Sequence, residues 1–107
     1  MKPLVFLGSS RDDLLAMPRG VRHGIGVELL RVQFGALPSD FKPMTAVGPG
    51  AQEIRVRDAS GAYRAIYVAK FDAAIYVLHA FQKKTQQTAR ADLELAKLRY
   101  RMIGAKS

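Results

Sequence analysis

The sequence predicts an α+β fold: a small twisted antiparallel sheet with two N-terminal helices and a C-terminal helix. Three observations carry that prediction. From Glu53 to Lys83, polar and apolar residues alternate and are interrupted only by turn residues, the pattern of strands folded back on one another. Elsewhere, Val21, Ile25, Leu29 and Val32, and again Ala89, Leu93, Ala96, Tyr100 and Ile103, recur at helical spacing. Finally, 107 residues with 49% hydrophobic and 24% charged content suit one domain, residues 1–107, with a modest core and no wholesale disorder.

The elements are justified in order. Pro3 to Leu7 is an apolar run ended by Gly8, expected as a strand buried on both faces. Ser9 or Ser10 then caps a short helix with Asp12 and Asp13 in its first turn, Leu14, Leu15 and Met17 on its apolar side, and Pro18 as its stop. A second helix is expected from Arg19 to Phe34. Gly24 and Gly26 each weaken it by roughly 1 kcal/mol relative to Ala, and two glycines in one turn point to close approach of a neighbour. Gly35 fits a left-handed helix end, with Pro38 beyond it. Leu37 to Pro43 reads as a loop, Met44 to Val47 as a strand, and Gly48-Pro49-Gly50 as a turn.

The central strands are expected at Glu53 to Asp58, Ala62 to Phe71 and Ala74 to Lys83, joined by Ala59-Ser60-Gly61 and by a tight break at Asp72-Ala73. In the middle strand Tyr63, Ala65, Tyr67, Ala69 and Phe71 share one face; Arg64, Ile66, Val68 and Lys70 share the other. Thr88 is positioned to cap a last helix to about Ile103, with Arg90, Glu94, Lys97 and Arg101 outward and Gly104 to Ser107 frayed.

Charge narrows the function. With 17 Lys+Arg against 9 Asp+Glu, the net charge is +8 and the pI about 10.2, which favours a polyanionic partner, RNA or DNA ahead of a membrane. The bland alternative is a basic protein that is merely soluble. The chain has no cysteine, hence no disulfide framework or thiolate metal site, and Pro3 to Gly8 is too short for a signal peptide or a spanning helix. A cytoplasmic protein is expected. No phosphate-binding loop, zinc-protease helix or serine-hydrolase elbow occurs. His23 and His79 have no metal-ligand spacing, and Ser9, Ser10, Ser39 and Ser60 read as turn or cap residues, so neither metal nor cofactor is expected.

What remains is a set of cations threaded through strands: Arg55, Arg57, Arg64, Lys70, Lys83 and Lys84. Such a set suits RNA chemistry, because the substrate's own 2′-hydroxyl is the nucleophile. The protein must take its proton, stabilise the phosphorane and let the 5′-oxygen leave protonated. Arginine forks suit the phosphorane, and a lysine serves as base where neighbouring cations or burial depress its pKa. The same residues also suit a binding face without catalysis. Tyr63, Tyr67 and Tyr76 read as sheet packing, His79 as a core histidine on the face of Ile75, Val77 and Phe81, and His23 as surface. Arg64 stands apart, since mid-strand its charge is costly if buried unpaired.

Gly26, Leu29, Val32, Gln33 and Gly35, then Lys42-Pro43, then EIRVRD, GAYRAIYVAKF and AIYVLHAFQKKTQQT together resemble the phage-derived, HigB-like branch of the RelE/ParE toxin superfamily. The resemblance runs from Lys2 through the final helix. It implies a type II toxin: RelE-like members cleave messenger RNA on the ribosome without metal, and ParE-like members poison DNA gyrase. On this implication Arg64 contacts the scissile phosphate, Arg55, Arg57 and Lys83 help hold RNA, and Lys84 joins Arg64 as a catalytic candidate. RelE itself carries a tyrosine shortly after the last strand, where Gln86 to Arg90 holds none. Tyr67, Lys70 and His79 stand as alternatives for the acid and base. The implied partners are mRNA on the ribosome and an antitoxin with a helix-turn-helix, whose complex would set the oligomeric state.

Overall fold

A computed structural model describes residues 1–106. Eight elements follow one another: β1 (Leu4–Phe6), α1 (Ser10–Leu15), α2 (Arg19–Gln33), β2 (Phe41–Pro43), β3 (Ala51–Asp58), β4 (Gly61–Val68), β5 (Ile75–Lys83) and α3 (Arg90–Lys106). The strands form one sheet in the order β1-β5-β4-β3-β2. Four of them pair antiparallel, as expected, while β1 joins the edge of β5 in parallel, so the sheet is mixed. The α+β class holds.

Both faces of the sheet are covered, and this explains the strand composition. On one face the stripe Val21, Ile25, Leu29 and Val32 of α2, with Leu14 and Met17, packs on Ile54, Tyr63, Ala65, Tyr67, Ile75 and Val77. On the other, Ala96 and Ile103 of α3 pack on Ala51, Ile66, Val68, Leu78 and Phe81. Ile25, Ile54, Ile66 and Ile75 are wholly enclosed, each such side chain contributing about 1.5–3 kcal/mol. Gly35 takes the left-handed conformation after α2 at φ 88°. Val56 lies 3.3 Å from where a Gly24 Cβ would stand, the expected close approach, but nothing lies within 4 Å at Gly26.

Several boundaries differ from the sequence reading. β1 is only half-buried, because it is a short edge strand. The strand expected at Met44 to Val47 is instead Phe41–Pro43, paired with Ile54 to Gln52; Met44 and Val47 are buried in a turn, so their apolarity reports burial and not strand. β4 ends at Val68, and residues 69–74 form the connection to β5. α3 begins at Arg90, so Ala89 and not Thr88 stands at the cap position; the Thr88 hydroxyl donates to Glu53 Oε2 at 3.0 Å. α3 continues through Gly104 to Lys106, beyond the expected end at Ile103; Ser107 lies outside the described residues.

One irregularity redirects a side chain. Ile66 pairs with His79 but Tyr67 pairs with Val77, so Leu78 is an extra residue in β5. The bulge moves His79 off the face of Ile75 and Val77. It stacks on Phe81, ring centroids 4.7 Å apart, and its Nε2 lies 2.7 Å from Asp92 Oδ1 of α3. The Leu78 carbonyl accepts from Arg99 Nη1 at 2.9 Å, and Arg99 Nη2 donates to Ser9 Oγ at 3.1 Å. The Arg99 guanidinium passes directly over Gly8, where a Cβ would stand 2.4 Å from its Nε and where φ is 56°.

Two glycines therefore respond oppositely to alanine. Gly26→Ala should raise unfolding free energy by about 0.5–1 kcal/mol through helix propensity. Gly8→Ala should lower it by about 2–3 kcal/mol through strain and displacement of Arg99. Urea unfolding of both variants checks the pair, and equal shifts would contradict the packing described.

Candidate nucleic-acid interface

The sheet face beneath α3 divides along its length. Ala51, Ile66, Val68 and Leu78 lie under the helix, whereas residues nearer the β3–β4 turn extend past its first turn and stay open. Alternation brings Arg55, Arg57, Ala62, Arg64 and Lys83 onto this open part, where with Thr85 and Gln86 they line a groove of about 290 Å³. Arg55 is directly opposite Arg64, Arg57 opposite Ala62, and Ala62 opposite Lys83. Directly opposed like charges destabilise a sheet, so the groove carries electrostatic strain.

Arg64 is the deepest of these cations, about 3% exposed. Its Nε lies 3.2 Å from Glu53 Oε1, and its Nη1 donates to the Tyr63 carbonyl at 3.1 Å. Glu53 is also enclosed, and its second oxygen accepts from Thr88. Burial pulls the Arg64 pKa below its ordinary value, Glu53 opposing that and Arg55 adding to it. Arg64 nonetheless stays charged, since even a lowered guanidinium pKa lies far above neutrality. Arg55 is half-exposed, with a loose contact to Asp40 at 3.9 Å. Loss of solvent, then the charge of Arg64, lowers the pKa of Lys83.

The other sequence candidates separate from this cluster. Tyr67 is on the opposite face, its hydroxyl donating to Gln52 Oε1 at 2.9 Å and burial pushing its pKa up to about 12. Lys70 follows the far end of β4, its Nζ 5.2 Å from the centre of the Phe71 ring; it does not crowd the arginines as expected. Lys84 is exposed and lines a neighbouring cavity with Phe81, Ala89 and Asp92 instead of the arginine groove. His79 is occupied by Asp92, and its Nδ1 is enclosed without a hydrogen-bond partner. Glu53 and Thr88 were not expected at the site: Glu53 read as the start of a strand and Thr88 as a helix cap. The available signal was a lone carboxylate opening a strand of arginines.

Among the described residues, no group of His, Asp and Glu could hold a metal ion, and no helix is long and apolar enough to cross a membrane. The fold is a small α+β module compatible with the RelE-like class. Residues 12–101 match the phage-derived protein Gp49-like family (DUF891), which is toxin-like in general, and the chain belongs to that family. No curated protein matches the chain.

The enclosed ion pair yields a direct test. Glu53→Ala leaves Arg64 buried and uncompensated, which should cost about 3–5 kcal/mol of stability. Adding Arg64→Met to that variant should recover a large part of the loss. Denaturant unfolding of the two single variants and the double variant measures the coupling; additive losses would mean the two groups do not interact.

Proposed function

We propose that this protein is a toxin that cleaves messenger RNA on the ribosome, by transesterification through the RNA's own 2′-hydroxyl. The observation that supports this reading is the convergence of Arg55, Arg57, Arg64 and Lys83 on one open groove, with Arg64 ion-paired to the enclosed Glu53. Arg64 faces the scissile phosphate and stabilises the charge that grows on its oxygens, at little cost of reorganisation because its Nη1 is bonded to the Tyr63 carbonyl and its Nε, without a hydrogen-bond partner of its own, lies 3.2 Å from Glu53. Arg55 and Arg57 hold flanking phosphates.

Lys83 takes the role of base, because its pKa is lowered by its surroundings and it shares the groove with Arg64. Its neutral amine removes the 2′-hydroxyl proton as that oxygen attacks phosphorus. The bond to the 5′-oxygen breaks, that oxygen takes a proton from water in the open groove, and a 2′,3′-cyclic phosphate remains. Lys84, Tyr67 and Lys70, which lie outside the groove, have no part in this scheme. The same cations would also serve an antitoxin whose acidic surface neutralises them in the resting complex.

Primer extension on a defined message in a reconstituted translation system tests the reading. Cuts should appear on translated message and fall by about 10²–10³-fold with Arg64→Ala, compared at equal soluble level. Uncut message together with induced DNA damage signalling would favour gyrase inhibition instead. A second prediction concerns pH. Only the neutral amine of Lys83 is a base, so the cleavage rate should climb as pH rises toward its lowered pKa and level off above it. Lys83→Arg should remove that climb and about 10²-fold or more of the rate while RNA binding persists. An unchanged profile would exclude Lys83 as the base.

A further inference from the structure

β5 is only partly covered along its outer edge. β1 pairs with Ile75, Tyr76 and Val77 and then turns away. The Leu7 amide and the Ser10 hydroxyl both donate to the Val77 carbonyl, and Arg99 occupies the Leu78 carbonyl. From His79 to Lys83, by contrast, β5 pairs with β4 on its inner side, and no described strand pairs with its outer side. At the opposite edge β2 covers only Gln52 to Ile54 of β3, and the strand beyond carries Arg55 and Arg57 and ends at Asp58.

A cavity adjoins each face of this open edge. One, of about 420 Å³, is lined by Met17, Pro18 and Tyr63 and lies on the α1 side. The other, of about 190 Å³, is lined by Lys83, Lys84, Ala89 and Asp92 on the α3 side. Both reach Phe81 and Gln82. A strand laid along the edge sends successive side chains to opposite faces, so alternate residues would enter the two cavities in turn. The first is mostly apolar, with Asp13 and His79 also at its wall; the second presents two ammonium groups beside Asp92, whose Oδ1 is engaged by His79.

We infer that the β5 edge from His79 to Lys83 accepts an extended peptide segment by strand addition, with apolar residues entering the Met17–Tyr63 cavity and acidic residues meeting Lys83 and Lys84. Charge selects this occupant over a second copy of the chain, since two +8 chains would bring the same lysines together. The inference goes beyond the RNA reading and stands on the geometry and charge of this edge. It also has a regulatory consequence. A carboxylate paired with Lys83 removes one of the groove's four cations and its only lysine, so an acidic strand on this edge would oppose anion binding without covering Arg64.

The test uses the whole chain and three synthetic hexapeptides at up to millimolar concentration. One alternates Glu and Val, one is the same sequence N-methylated at alternate backbone nitrogens, and one alternates Lys and Val. The Glu–Val peptide should bind and protect amides within residues 79–83 from hydrogen exchange. N-methylation, which removes ladder donors without touching the protein, should weaken binding at least 10-fold, and the Lys–Val peptide should bind at least 10-fold more weakly. Equal binding of the N-methylated peptide, protection confined to α2 or to the arginine groove, or no binding to the folded chain would each overturn the inference. So would a concentration-dependent dimer that protects the same amides without peptide. None of these readouts depends on RNA cleavage, so the two proposals fail separately.

Discussion

The enclosed Glu53–Arg64 pair is the constraint on which the rest of the structure depends. Two charges removed from water carry a desolvation penalty of several kcal/mol per ion, which only good geometry offsets. That geometry needs β3 and β4 in one register, because Glu53 faces Ile66 and reaches Arg64 diagonally across the hairpin. A slip of one residue would send one partner to the α2 face and leave both uncompensated. Thr88 adds a third member, so the segment leading into α3 is tied to the same carboxylate. Apolar residues of equal volume would satisfy the sheet just as well. What the ion pair supplies beyond stability is a guanidinium held in one orientation at the floor of a groove.

The β5 bulge does comparable work on the other side of that floor. An extra residue in one strand leaves backbone groups without ladder partners and turns the next side chain over. Here the freed Leu78 carbonyl is taken by Arg99, and the redirected His79 is taken by Asp92, both from α3. Arg99 reaches the carbonyl by crossing Gly8 and contacts Ser9, which itself donates to Asp13. The β1–α1 junction, β5 and α3 are thereby joined through one buried guanidinium. Together with Thr88 on Glu53, these contacts fix where α3 begins on the sheet. A start one turn earlier would cover Arg55 and Arg64.

Much of this was legible in the sequence, and the rest was not for identifiable reasons. Period-two alternation placed Arg64 opposite in face to Tyr63 and Tyr67, and the α2 stripe from Val21 to Val32 is buried as its spacing required. Alternation fails across a bulge, so His79 was assigned to the wrong face: nothing local in Val77-Leu78-His79 marks the extra residue. Met44 and Val47 were read as a strand because apolarity reports burial, and a buried turn carries the same signal. The grouping of the cations was half visible. Arg55, Arg57, Arg64 and Lys83 follow from strand parity, but Lys70 depended on where β4 ends, and Lys84 on where β5 ends. Glu53 and Thr88 are 35 residues apart, a contact that no local pattern encodes.

The groove's electrostatics connect these features to function. Arg55 opposes Arg64 across the hairpin, and Lys83 approaches from β5, yet only Glu53 answers them from within. Asp40 contacts Arg55 at 3.9 Å from an exposed position, where such a pair contributes about 0–1 kcal/mol. The excess positive charge is therefore uncompensated in the free protein, and it is carried by strands pinned on both sides that cannot spread apart to relieve it. On the proposed reading, an anion entering the groove would relieve that repulsion and so would stabilise the fold on binding. The same strain lowers the pKa of Lys83, with burial as the larger cause. On the proposed reading, the crowding that would let these cations hold a phosphate would also prepare an amine to act beside it.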